Sequence, residues 1–126
     1  MDDEIAAAKA VIASHERLSR AGDLAGVLAN IADDIALVVP NAPLVEGKSA
    51  FEEVYSRLFG MGKWNFEHEY SGVEVVGDAV ILYGVARGTF TPNKGDPSPI
   101  ENNFLIVLKR SGESYKVWRG GFGPGS

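Results

Sequence analysis

Residues 64–76 carry the sequence Trp-Asn-Phe-Glu-His-Glu-Tyr-Ser-Gly-Val-Glu-Val-Val, in which ring side chains first alternate with polar ones. A period of two residues is typical of a β-strand whose two faces have different surroundings. Trp64, Phe66, His68 and Tyr70 therefore share one face, and we expect that face to point into the protein. His68 is the one imidazole in this aromatic row.

Three stretches further along the chain show the same period, at residues 79–91, 100–110 and 114–121. The dipeptide at 77–78, Gly-Asp, and the tripeptide at 111–113, Ser-Gly-Glu, are typical of hairpin turns. A chain of strands joined by such turns pairs each strand with the next one. The second half of the sequence therefore predicts an antiparallel meander of four strands.

The first half of the chain has a helical period instead. Apolar residues recur at helical spacing within residues 3–21, and they form one stripe along a long helix. Gly22 ends it, a shorter second helix follows, and a third helix begins near Ser49, while the β-branched run at 35–39 predicts a short strand. Helices followed by strands are typical of an α+β domain whose helices cover one face of the sheet. The stripe of the first helix consists of Ile5, Ala8, Val11, Ile12, His15 and Leu18.

Size and composition restrict the class of protein. The 126 residues are 45% hydrophobic, which predicts one folded domain spanning residues 1–126. Twelve basic against seventeen acidic residues give a formal charge of −5, so neither nucleic acid nor an anionic membrane is expected as a partner. There is no cysteine, and the two histidines lie far apart without paired acidic motifs. We therefore expect no metal and no cofactor.

The two ends of the chain give two further expectations. The start, Met-Asp-Asp-Glu, is acidic, unlike a signal peptide, and no apolar run is long enough to cross a membrane. We therefore expect a cytoplasmic protein. Residues 120–126 contain four glycines, one proline and one serine, and we expect them to form a flexible tail.

Polar side chains on faces that should point inward are the candidate site residues. His15 lies within the apolar helical stripe, where a histidine is either a hydrogen-bonded core residue or a catalyst. Arg87 alternates with Tyr83 along one strand, where it either lies at a rim or pairs with an acid. Glu101 and Asn103 share a face of the next strand, and an amide in mid-strand is a pocket candidate.

The order of elements and four short stretches resemble a known superfamily. The stretches are Arg20-Ala21-Gly22-Asp23-Leu24, Ile31-Ala32-Asp33-Asp34, Val45-Glu46-Gly47-Lys48-Ser49-Ala50 and Tyr115-Lys116-Val117-Trp118-Arg119. Together with the predicted elements they resemble the nuclear transport factor two-like superfamily, which includes the SnoaL-like polyketide cyclases and the ketosteroid isomerases. The resemblance implies a cone-shaped α+β fold with three N-terminal helices packed on a curved, mainly antiparallel mixed sheet. It implies little about function, because this fold supports many activities.

The resemblance also implies site positions, residue by residue. The isomerases have a hydrogen-bonding tyrosine on the first helix, where this chain has His15. Their aspartate base precedes the proline that ends the first strand, where this chain has Val39, which argues against steroid isomerisation in its known form. Their second oxyanion donor falls on Asn103 or on Glu101, depending on the length of the following hairpin. The pocket-lining positions match Tyr55, Tyr83, Arg87 and Phe122.

Three functions stay open at this point. The first is binding of a small hydrophobic or cyclic organic ligand in a conical, mostly apolar pocket. The second is a metal-free isomerase, lyase or cyclase that uses His15 or His68 as the acid–base group, with Asn103 as a further polar group. The third is an assembly module with a vestigial pocket. The superfamily often dimerises through the outer face of its sheet, and both faces of residues 79–90 are apolar, which predicts a homodimer.

Overall fold

The computed structural model describes residues 2–125, which form three helices and one six-stranded sheet. The order along the chain is two helices, two strands, a third helix and then four long strands, as an α+β domain of this kind requires. The predicted fold class is therefore confirmed. The elements are α1 (Asp2–Ala21), α2 (Leu24–Ala29), β1 (Ile31–Val38), β2 (Val45–Glu46), α3 (Lys48–Met61), β3 (Gly62–Val76), β4 (Ala79–Pro92), β5 (Ser98–Ser111) and β6 (Ser114–Pro124).

The strands lie in the order β2-β1-β6-β5-β4-β3, so that β3 forms one edge of the sheet and the two-residue β2 forms the other. The meander from β3 to β6 is antiparallel throughout, as the hairpin turns predict. Only β1 and β6 pair in parallel, which makes the sheet mixed. Antiparallel neighbours joined by short turns explain why these strands follow one another along the chain.

One face of the sheet, which we call the inner face, packs against the helices and forms the core. The apolar stripe of α1 lies against it, with Ala8 and Ile12 fully buried, and Phe51 of α3 is 1% exposed. On the central strands, Leu82 and Leu108 are completely buried and point to the same side. The opposite, outer face has no helix over it.

The C-terminal strand is longer than the sequence predicts. β6 continues through Pro124, and its glycine-rich end pairs with β5, Phe122 lying beside Phe104. On its other side, Gly120 and Gly121 pair with Leu37 and Val38 of β1. Two neighbouring strands thus hold a segment that has little intrinsic preference for order, and the predicted flexible tail over residues 120–126 is wrong for 120–124. Residue 126 lies outside the described residues.

Two glycines on β4 allow an unusually close approach of β3. A Cβ atom at Gly84 would overlap the carbonyl oxygen of Glu69, and one at Gly88 would overlap that of Asn65. Glycine within a strand marks such close approaches and the bends that accompany them. The close pairing of β3 with β4 therefore depends on two positions that lack a side chain.

No helix within residues 2–125 combines the length and the apolar character that a bilayer crossing requires.

Candidate functional site

His15 lies at the centre of the space between α1, α3 and the inner face. Its ring centroid is 6.3 Å from that of Tyr55 on α3 and 6.1 Å from that of Phe66 on β3, both in tilted or edge-on arrangements. The Nδ1 atom is shielded from solvent and has no hydrogen-bond partner. Burial, and to a lesser extent the neighbouring His68, lower the pKa of His15 to about 4. The ring is therefore neutral at pH 7 and offers both a donor and an acceptor nitrogen.

His68 is held by a carboxylate from α1. Glu16 Oε2 lies 2.7 Å from His68 Nδ1 and accepts a second hydrogen bond, also 2.7 Å, from the backbone N–H of His68. Burial lowers the pKa of His68, and the contact with Glu16 partly offsets that effect. Because a carboxylate oxygen only accepts hydrogen bonds, neutral His68 carries its proton on Nδ1 and keeps a lone pair on Nε2. This arrangement suits a general base.

Aromatic rings surround these two histidines. Phe104 meets the His68 ring edge-on at 4.7 Å, and Tyr55 stacks on Phe51 at 4.1 Å. Burial raises the pKa of Tyr55, whose hydroxyl is therefore a neutral donor at any physiological pH. Towards the first residues of β3 the inner face is less covered, and the rings of Phe59, Trp64, Phe66 and Phe90 are partly exposed there.

Tyr83 and Arg87 lie on the outer face, so their predicted inward placement is wrong. The β4 residues that face the helices are Leu82, Gly84 and Ala86, whereas Tyr83 is 47% exposed. On this face Gly84 pairs with Tyr70 of β3 and Ala86 pairs with His68. Arg87 pairs with Glu101 at 2.8 Å and with Glu69, which satisfies it on the outer face and removes it from any inner site.

Glu101 and Asn103 also lie on the outer face and are exposed. The predicted inward placement of both is wrong, because β5 turns Phe104, Ile106 and Leu108 towards the helices. The amide on the inner face is Asn102, which is partly buried beside Ala86 of β4.

The remaining candidates lie inside. Phe122, Tyr55, His15 and His68 all line the inner side of the sheet or face it, and Phe122 packs against the core. Val39, at the position of the isomerase base, is 7% exposed and belongs to the same core. The inner site therefore contains two imidazoles and no aspartate at that position. The roles of these residues stay predictions.

Sequence reasoning missed three polar residues of the inner side, which are Glu16, Ser19 and Asn102. Glu16 and His68 are 52 positions apart in the sequence, and no local pattern predicts their contact. Ser19 lies four positions after His15 on the same helix, so the helical period could have identified it. Asn102 follows from the alternation along β5 once the inward face is known.

Two clefts on the surface reach neither histidine. One, of about 260 Å³, lies between the start of β1 and the β5–β6 hairpin and includes Asp34, Lys109 and Trp118. The other, of about 470 Å³, is a shallow trough on the outer side between Val38 and Leu105. Among residues 2–125 no three histidine or acidic side chains come together as a metal site would need.

Solved structures with the same architecture cover almost the entire chain. A ketosteroid isomerase-like protein from Erwinia carotovora atroseptica SCRI1043 is 24% identical, with a TM-score of 0.87 over 100% of this chain and 99% of its own. A conserved protein from Planctomyces limnophilus DSM 3776 is 15% identical, with a TM-score of 0.84 over 98% and 99%. An NTF2-like protein of unknown function from Pseudomonas putida KT2440 is 20% identical, with a TM-score of 0.72 over 90% and 81%. At these identities the likeness shows the fold alone.

The fold is thus that of the nuclear transport factor two-like, or ketosteroid isomerase-like, proteins. Residues 11–117 match the family model of the SnoaL-like domain, and the chain belongs to that family. The resemblance inferred from the sequence is confirmed. No curated protein matches the chain.

Proposed function

We propose that this protein binds a small, neutral, cyclic organic molecule between α1, α3 and the inner face of the sheet. The observation that carries this proposal is His15 Nδ1, a shielded nitrogen without a partner among aromatic rings. An unsatisfied buried polar group costs about 1–3 kcal/mol, and a ligand that hydrogen-bonds to it removes that cost. Because His15 is neutral at pH 7, a hydroxyl or carbonyl suits it better than an anion.

The surroundings of His15 support a ring-shaped ligand. Tyr55 and Phe66 present ring edges and faces to the imidazole at about the spacing of ordinary aromatic pairs. The rings at the start of β3 are partly exposed, and apolar walls with few polar contacts are typical of small-molecule sites. A flat apolar molecule with one polar end fits this chemistry.

A His15→Phe variant tests this proposal with 4-methylphenol and toluene as probes. We expect the wild type to bind both, and the variant to bind 4-methylphenol about three- to tenfold more weakly while its affinity for toluene is unchanged, since one net hydrogen bond is lost. Titrations followed by NMR at pH 7 measure both affinities, and Ser14→Ala on the solvent side of α1 is the matched control. Failure of the wild type to bind either probe, or an unchanged ratio in the variant, would contradict the proposal.

A second candidate function rests on the contact between Glu16 and His68. We propose that, if chemistry follows binding, His68 acts as the general base through Nε2 while Glu16 fixes the proton on Nδ1. An isomerase, lyase or cyclase of this type needs no metal. Histidine ¹⁵N chemical shifts at pH 7 report the tautomer, and a proton on Nε2 of His68 would remove this candidate.

We also propose that the protein forms a homodimer through the outer face of the sheet. The middle of that face is apolar and uncovered, with Tyr83, Leu105 and Val38 exposed by 47%, 48% and 60%. Two copies packed face to face would bury this apolar middle.

Sedimentation velocity at micromolar concentration tests the dimer. We expect the wild type to sediment as a dimer and Leu105→Lys as a monomer, because a charge in the middle of the face has no partner there. Met61→Lys is the matched control, since Met61 is 53% exposed but lies at the end of α3. A wild type that stays monomeric up to the highest soluble concentration would contradict the proposal.

A further inference from the structure

Ser19 is the one buried polar residue in the part of the chain that the structure describes. It is 2% exposed, and its hydroxyl has no hydrogen-bond partner. A serine inside a helix usually satisfies its hydroxyl by donating to the carbonyl four residues earlier, which here belongs to His15. Ser19 does not make that bond. The Ser19 hydroxyl is therefore buried and makes no hydrogen bond within the protein.

Ser19 and His15 stand on the same side of α1. Residues four apart in a helix lie one above the other, with an axial rise of about 6 Å. The other residues of this buried stripe, such as Ala8 and Ile12, are apolar. The two buried side-chain atoms of residues 2–125 that have no hydrogen-bond partner, His15 Nδ1 and Ser19 Oγ, thus occur one helical turn apart on one helix face.

The other serine of α1 shows the contrast. Ser14 is partly exposed, and its hydroxyl accepts hydrogen bonds from Asn30 Nδ2 at 3.2 Å and from Arg17 at 3.4 Å. A serine hydroxyl on this helix therefore makes hydrogen bonds where polar side chains lie next to it. Ser19 is instead buried, and no side chain or backbone group of the described chain is its hydrogen-bond partner.

We propose that Ser19 is a second polar contact of the ligand site and that the site selects neutral rings with a polar group at each of two opposite ends. One end meets His15 Nδ1 and the other meets the Ser19 hydroxyl, while the aromatic side chains contact the ring between them. This inference rests on the proposed ligand-binding function and narrows the class of ligand. A neutral imidazole and a hydroxyl can each donate or accept, so hydroxyl, ether and carbonyl groups all suit the two ends.

The test compares 4-methoxyphenol, whose oxygen atoms lie at opposite ends of the ring, with 4-methylphenol, which has one oxygen atom. We expect the wild type to bind 4-methoxyphenol about three- to tenfold more tightly, as one additional net hydrogen bond implies. In Ser19→Ala that preference should disappear, because the second oxygen atom of 4-methoxyphenol loses its hydrogen-bond partner. Ser14→Ala should keep the wild-type preference, and 2-methoxyphenol, with adjacent oxygens, should bind no better than 4-methylphenol.

The possible outcomes distinguish the role of Ser19 from the ligand binding on which it rests. If the wild type binds 4-methylphenol but Ser19→Ala keeps the preference for 4-methoxyphenol, the role of Ser19 is refuted and ligand binding stands. If the wild type binds none of the three phenols, ligand binding fails and the inference fails with it. The Tm of Ser19→Ala checks folding, and it should not fall, because the hydroxyl makes no bond in the free protein.

Discussion

A His15→Phe variant is expected to lose much of the acid sensitivity of the wild type. The pKa of His15 is about 4 in the folded protein, against an ordinary value of 6.5 in the unfolded chain. Between these two values the unfolded state binds a proton that the folded state does not bind. Stability therefore rises with pH across this window, and the contribution of His15 is fully present above pH 6.5 and is lost as the pH falls towards 4.

The size of this contribution follows from the same two values. A difference of one pKa unit corresponds to about 1.4 kcal/mol, so His15 accounts for about 3 kcal/mol of the stability lost between pH 7 and pH 4. Phenylalanine does not titrate, and it fills the space between Tyr55 and Phe66 with an apolar ring. The variant should thus show a flatter dependence of unfolding free energy on pH.

Urea denaturation at several pH values from 4 to 7 measures this difference. Groups that do not interact with His15 titrate alike in both proteins and cancel when the two curves are subtracted, whereas the interaction between His15 and His68 is part of the difference. Ser14→Ala, at the neighbouring position on α1, should retain the wild-type slope. Parallel curves for wild type and His15→Phe would show that folding does not lower the pKa of His15 and would refute this prediction.

Replacing Glu16 with alanine is expected to destabilise the protein by about 3 kcal/mol. Glu16 Oε2 accepts from both the backbone N–H and Nδ1 of His68, whose side chain is 7% exposed. Hydrogen bonds to a charged group contribute about 1.5–3 kcal/mol each, and alanine leaves both donors without a partner. Because Glu16 raises the pKa of His68, removing it should also let that pKa fall further.

Two other variants test whether the charge of Glu16 is responsible for these effects. Glu16→Gln keeps an acceptor oxygen and should lose less stability than Glu16→Ala, while its His68 titrates at lower pH than in the wild type. Glu53→Ala, on the exposed side of α3, should change stability by about 0.5 kcal/mol or less. Urea denaturation gives the stabilities and NMR titration gives the pKa of His68. A wild-type pKa for His68 in Glu16→Gln would mean that the carboxylate does not interact with it.

The sequence predicts the elements well because their periods are strong. The stripe of α1 and the alternation of ring and polar residues in β3 each have one apolar face, so their inward sides are unambiguous. His15 and His68 were therefore placed on the correct sides. The order of helices and strands then leaves few arrangements, and the family resemblance follows from the same order.

The inward faces of β4 and β5 could not be predicted in this way, because both faces of β4 are apolar and both faces of β5 carry polar side chains. One face of β4 carries the large side chains of Ile81, Tyr83 and Val85, which are typical of a core. The opposite face, with Leu82, Gly84 and Ala86, nevertheless points towards the helices. At Gly84 the backbone of β3 leaves no room for a side chain, which depends on the pairing of the two strands and has no local signal. Contacts between distant residues, such as Glu16 with His68, depend on how α1 lies along the edge of the sheet and have no local signal.

Gly84 and Gly88 have a consequence for how this protein can change over evolutionary time. A side chain at either position would collide with the backbone of β3. A substitution there therefore changes how β3 and β4 pair. We expect relatives with the same fold to keep this glycine pair while the polar residues of the inner face, such as His15, Ser19 and Asn102, diverge.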